Sequence, residues 1–194
     1  MGTHGPESLI LEQCLEDLWK LIHFIRYKYN NPSLFLMGHS WGGTLGAAFL
    51  LQIAGQQYIS GWIDVSGEMD WANGLNLSVE WTKKRAEEKT NVFSYMKTPV
   101  SLSFLFHNLN ALNNYNVPAT LNMFPKLHKI LIPTLIMAGR HDGIIPVESA
   151  QTAFYNIGSG NKYLHIFENC AHFPHIEEQE LFVQKVKKFV EKYR

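Results

Sequence analysis

Cysteine is nearly absent: Cys14 and Cys170 are the whole complement of a 194-residue chain. Two cysteines make no disulfide framework, and a chain of this length buries roughly 70% of its unfolded surface without one. Excess charge of either sign is absent too. The 17 Lys+Arg balance the 17 Asp+Glu, which leaves no electrostatic footprint for nucleic acid or an anionic membrane as partner. Long hydrophobic runs are missing. The longest apolar stretch, Ile130 to Ala138, contains Pro133 and is too short for a span. Met1 to Pro6 shows no charged-then-apolar leader pattern. A soluble, cytoplasmic protein is expected. No Cys/His cluster carries metal-ligand spacing, and His172-x-x-His175 does not fit helical zinc ligands. Neither a metal nor a cofactor is expected.

What remains is an ordinary globular composition, 46% hydrophobic and 18% charged, enough apolar content for one folded domain with a small insertion. Leu11, Cys14, Leu15, Leu18, Leu21, Ile22 and Ile25 recur at helical steps, and Asn30-Asn31-Pro32 stops that helix. Ser33 to Met37 is a short apolar run without alternation, as suits a strand covered on both faces. Gly38 to Gly43 reads as a turn and Thr44 to Ile53 as a helix rich in small residues. Gly61 to Val65, Ile130 to Ala138 and Lys162 to Phe167 read as further strands. Val147 to Ile157 and Glu177 to Tyr193 read as helices. Between Glu68 and Lys129 the alternation lapses into helix-like pieces with prolines and aromatics. The expected division is therefore 1–67 and 130–194 as two parts of one core, with 68–129 as a cap. Strand and helix in alternation predict an α/β fold with a mostly parallel sheet and flanking helices.

The chemistry concentrates at Gly38-His39-Ser40-Trp41-Gly42-Gly43, between an apolar strand and a helix. This is Gly-x-Ser-x-Gly in the context a nucleophile elbow requires. The sharp turn strains the serine backbone, and Gly38 and Gly42 are expected to spare the neighbouring backbone a Cβ clash. Ser40 is thereby presented at a helix start, where developing negative charge is favoured. A serine needs a base and an orienting acid. Asp142 follows the third strand and His172 the fourth, both at carboxyl ends of parallel strands, where open α/β sheets gather their sites. Asp64 is the rival acid. His39, His141 and His175 read as structural or packing residues.

With these motifs in place the chain resembles the α/β-hydrolase fold, and within it the proline iminopeptidase-like branch. That branch commonly carries an elbow reading Gly-His/Gly-Ser-Trp-Gly-Gly. The Gly-Arg-x-Asp-x-x-x-Pro segment around Asp142 and Ala-His-x-Pro around His172 fit the same branch. The resemblance runs from Leu9 to Tyr193. It implies a serine hydrolase acting on an amide or ester through an acyl-enzyme, with a small peptide or ester as substrate. Ser40, Asp142 and His172 would be catalytic, and the Trp41 amide an oxyanion donor. The branch selects substrates with its cap and binds the free amine with cap carboxylates. Glu68, Asp70 and Glu80 are positioned for that, with solvated surface charge as the alternative. Trp71, Trp81, Phe93, Tyr95, Phe104, Phe106 and Tyr115 are candidates for a pocket wall or for cap core.

The resemblance also implies several strands ahead of the first helix and a His-Gly-Gly-Pro-type loop carrying a second oxyanion donor. The residues before Ser40 hold one strand, and His4-Gly5-Pro6 has no strand before it. The amino-terminal part of the sheet is therefore expected to be missing, leaving the serine-bearing strand at an edge. Such an edge favours a homodimer or association with a separate amino-terminal fragment.

Overall fold

A computed structural model describes residues 11–71, 73, 74, 77, 80, 84 and 121–194. The chain forms two compact units, one of Met1–Pro32 with Pro99–Ala119 and one of Ser33–Thr98 with Thr120–Arg194. Most of the expected cap, including Trp81, Phe93, Tyr95, Phe104, Phe106 and Tyr115, lies outside the described residues. So does His4-Gly5-Pro6.

In the first unit the described element is helix α1, Leu11–Lys28. It ends because Asn30 and Asn31 take left-handed backbone angles (φ 54° and 56°). The Asn31 amide then reaches back to the Arg26 carbonyl at 2.7 Å, which satisfies one of the last orphan carbonyls. Cys14 is a free thiol here. No helix among the described residues is long and apolar enough to cross a membrane.

The second unit is built on four parallel strands in the order β1-β2-β3-β4. They are β1 (Phe35–His39), β2 (Gly61–Val65), β3 (Thr134–Gly139) and β4 (Lys162–Phe167). Every residue of β2 and β3 is buried, as apolar strands in the middle of a parallel sheet require. β1 lies at one edge of the described sheet, with Met37 exposed. Helix α2 (Trp41–Leu50) packs on β1 and β2, and α3 (Val147–Asn156) on β3 and β4. A short helix α4 (Pro174–Glu177) leads into α5 (Gln179–Tyr193).

One apolar core joins Ile63, Val65, Leu135, Met137 and Phe167 of the strands to Phe182 and Phe189 of α5, with Cys170 buried among them. On the α2 side of the sheet, Gly46 fits against the Trp62 indole; a Cβ there would lie 2.8 Å from its ring nitrogen.

Three element limits differ from expectation for local reasons. β1 runs to His39, two residues past its expected end, because Gly38 and His39 pair in register with Asp64 and Val65. β3 starts at Thr134, after Pro133, which has no N–H to give the ladder. Ahead of it a 3-10 turn, Phe124–Lys129, occupies the segment leading to Ile130. The closing helix is broken at Glu178, whose φ of −128° and ψ of 53° are not helical.

Candidate active site

Ser40 stands between β1 and α2 with φ 54° and ψ −119°, a conformation costing a non-glycine residue about 1–3 kcal/mol. The surroundings hold it there. Its amide bonds the Val65 carbonyl at 2.8 Å, extending the ladder by one residue. Its carbonyl accepts from Gly43 (2.9 Å) and Thr44 (3.3 Å), which opens α2 at once. The Trp41 amide occupies the first helical position and has no partner within the helix.

The glycines divide differently from expectation. A Cβ on Gly38 would overlap the Gly42 carbonyl and lie 2.6 Å from the Gly43 nitrogen, both backbone. A Cβ on Gly42 would meet nothing within 4 Å. The second tight glycine is Gly43, pressed against the Asp64 carboxyl and the Gly67 Cα. Gly38→Ala is therefore expected to cost about 1–3 kcal/mol or more, because no flexible side chain can yield. Gly42→Ala, within the first turn of a helix, is expected to stay within about 0.5 kcal/mol of wild type or to gain slightly. Urea unfolding of the two variants measures the contrast.

The acid and the imidazole come from two loops locked together. Gly139, at the end of β3, lies so close to the Ala171 and Cys170 carbonyls that a side chain has no room. The Arg140 amide bonds the Phe167 carbonyl (2.8 Å) and the His141 amide that of Cys170 (2.9 Å). A two-pronged Arg140–Glu168 pair, at 3.0 and 2.8 Å, closes the outside. Asp142 is fully buried. Its Oδ1 accepts the amides of Ile144 and Ile145, each at 2.9 Å. Its Oδ2 accepts from His172 Nδ1 at 2.8 Å, which leaves Nε2 of that ring as the basic nitrogen.

Two further residues seat His172, and neither was singled out as functional from sequence. Glu177, buried in α4, accepts the amides on both sides of His172: Ala171 and Phe173, each at 2.9 Å. His39 reaches the His172 carbonyl through Nε2 at 2.7 Å. Its ring centroid lies 4.7 Å from that of His172. The residue before the serine thus touches the catalytic-candidate imidazole. Burial and the neighbouring His172 lower the His39 pKa to about 4.

Asp64, the rival acid, points away from this arrangement. It is fully buried under α2 against Gly43 and Gly67; among the described residues neither of its oxygens has a well-formed hydrogen bond, the Gly67 backbone giving only partial support. Burial pushes its pKa up to about 8.

Glu68, expected among the amine-binding groups, is also interior. Its carboxylate accepts the Met69 amide (2.8 Å), the Asp70 amide (2.9 Å) and the Ser149 hydroxyl (2.8 Å). Burial raises its pKa, against those hydrogen bonds. These three donors all come from within the chain, so its visible work is to tie the segment after β2 to α3.

Asp70 pairs with Asn122, its Oδ2 accepting from Asn122 Nδ2 at 2.8 Å. Met123 N to Met69 O (2.7 Å) and Trp71 N to Leu121 O (3.1 Å) complete a narrow neck. Trp71, buried at that neck, lies 5.9 Å from the Trp41 ring, centroid to centroid. Glu80 is exposed.

No family model matches the chain. Among curated proteins it is similar to a proline iminopeptidase of Saccharolobus solfataricus, 26% identical, covering 97% of this chain and 68% of that protein. It is also similar to one of Heyndrickxia coagulans, 26% identical, covering 89% and 74%. Among solved structures it is similar to an esterase of Exiguobacterium antarcticum (TM-score 0.69, 20% identity, 98% of this chain and 78% of that one). It is similar as well to an alpha/beta fold family hydrolase of Bacillus anthracis (TM-score 0.65, 20% identity, 97% of this chain and 77% of that one). At such identities the structural likeness speaks for the fold.

Proposed function

We propose, starting from a chain that is an α/β-hydrolase of proline iminopeptidase-like sequence, that it cleaves an amide or ester through an acyl-enzyme on Ser40. The observation that carries this reading is the buried His172–Asp142 pair at 2.8 Å, joined through His39 to the strained serine turn. In this mechanism His172 Nε2 takes the Ser40 proton as Oγ attacks the acyl carbonyl. Asp142, pinned by two amides, holds Nδ1–H and stabilises the imidazolium. The Trp41 amide faces the developing oxyanion, and one such donor is worth about 2.7–4 kcal/mol. His172 then gives its proton to the leaving group, and water, deprotonated by the same nitrogen, releases the acid.

The preferred substrate class is a short peptide with amino-terminal proline or a similar residue, in line with the relatives' names. A carboxylester is the second reading, favoured by the interior placement of Glu68, which takes one expected amine partner out of use.

A fluorophosphonate probe tests the mechanism directly. Wild-type protein is expected to gain one adduct, mapped to Ser40 by peptide mass, with none on Ser40→Ala. A folded sample that stays unlabelled overturns the acyl-enzyme reading. Turnover of a prolyl-amide against a p-nitrophenyl ester then separates the two substrate classes.

A further inference from the structure

The grip on His172 is more elaborate than orienting one ring requires. Three backbone groups at this residue are held: the amides of Ala171 and Phe173 by Glu177, and the carbonyl of His172 itself by His39. The third link is the one that crosses from the serine-bearing strand to the loop after β4. It spans 133 positions of sequence in a single hydrogen bond. His39 is also packed on several sides by rings. Its centroid lies 4.7 Å from His172, 5.3 Å from Phe173 and 4.8 Å from His175.

We propose that His39 is a positioning residue for His172, its Nε2–H fixing the His172 main-chain carbonyl and its ring bracing the flank of the His172 ring, so that the base keeps its place beside Ser40. This rests on the acyl-enzyme reading above.

The chemistry is consistent from each side. A carbonyl only accepts, so Nε2 of His39 must carry the proton, and Nδ1 of a neutral ring is then bare. Around His39 the titratable groups are His172, His175 and Asp142, and Glu177 in turn faces His175. Burial, then the charge of His172 and less so that of His175, disfavour a second proton on His39; its hydrogen bond to the His172 carbonyl and, more weakly, Asp142 oppose them without prevailing. His39 therefore stays neutral while His172 becomes a cation during turnover. It holds the base without competing for the proton or adding a second positive charge 4.7 Å away. A displacement of about 1 Å at a catalytic group costs on the order of 10²-fold in rate, which sets the scale of what the link protects.

Two variants separate the hydrogen bond from the packing. His39→Phe keeps an aromatic ring and loses the donor; His39→Gln keeps an amide N–H donor and loses the ring. His39→Phe is expected to lower kcat about 10–100-fold with KM nearly unchanged, and His39→Gln to recover most of that loss. Both should be labelled at Ser40 by the fluorophosphonate, more slowly for Phe. Equal losses in the two variants, a loss in KM alone, or losses that simply follow a lowered Tm would overturn the proposal.

Imidazole 15N spectra of the wild-type protein give a readout that needs no turnover. His39 is expected to remain an Nε2–H tautomer from pH 5 to 9. A His39 that titrates within that range, or that shows the Nδ1–H tautomer, overturns the proposal whatever the enzyme hydrolyses. Absent Ser40 labelling in wild type, with the tautomer as expected, removes the acyl-enzyme reading and leaves His39 as the anchor of His172.

Discussion

Asp142→Asn is expected to lower kcat/KM by about 10⁴-fold while the protein stays folded. The reason lies in how the carboxylate is divided between its partners. One oxygen accepts two amides, Ile144 and Ile145, and the other accepts His172 Nδ1–H. Asparagine has one oxygen and one NH₂. Turning the NH₂ toward the two amides sets three donors against one another in a fully buried site, so the oxygen goes there. The NH₂ then faces Nδ1, which must accept, and the proton of His172 moves to Nε2. An imidazole protonated at Nε2 has no lone pair for the serine proton. The loss should fall on kcat, and fluorophosphonate labelling should slow in parallel. Full activity in this variant would place the orienting acid elsewhere, with Asp64 as the remaining sequence candidate. Circular dichroism checks that the fold is retained.

The parts of this site legible in sequence are those with local signatures. Ser40 declares itself because a strand, a sharp turn and a small-residue helix follow one another within a few residues. β2 and β4 were readable to the residue because each is a short run rich in aromatic and aliphatic residues between turn signals. Asp142 and His172 were readable as loop residues at strand ends, and the structure brings their side chains to 2.8 Å. What escaped depends on distance. His39 and Glu177 act on the backbone of another loop, through bonds that no periodicity or spacing marks.

The glycines show the same limit. Gly42 belongs to the motif, yet Gly43 is the one that the Asp64 carboxyl and the Gly67 Cα leave no room to change. The burial of Glu68 escaped for a related reason. A carboxylate between a strand and a cap looks like surface until Ser149, 81 positions away, is seen to donate to it.

Asp64 leads to the second large effect. In the unfolded chain it titrates near its ordinary value of 3.8, and in the folded protein near 8, because burial opposes its charge. The Gly67 backbone favours the ionised form and Glu68 disfavours it, and these are smaller influences than burial. Between pH about 4 and 8 the native state thus holds a proton that the unfolded state has released. Stability falls as pH rises wherever the native state binds more protons. The Asp64 contribution is therefore fully present below pH about 4, declines through the window by up to about 1.4 kcal/mol per pH unit, and levels off above pH about 8.

Asp64→Asn is neutral in both states and removes that slope. Its buried amide has as few partners as the carboxyl had, so the substitution adds a constant offset of about 1–3 kcal/mol, of either sign, at every pH. The diagnostic quantity is the change in the offset. The variant's stability relative to wild type is expected to rise by about 2–5 kcal/mol between pH 4.5 and 8.5. Urea unfolding at four or five pH values measures it, and a pH-independent difference between the two proteins would show that the carboxyl gives up its proton in the core as readily as in water. Because Asp64 presses on Gly43, one turn from the serine, the same ionisation pushes charge against the start of α2. The variant should therefore also hold its Ser40 labelling rate to higher pH than wild type does.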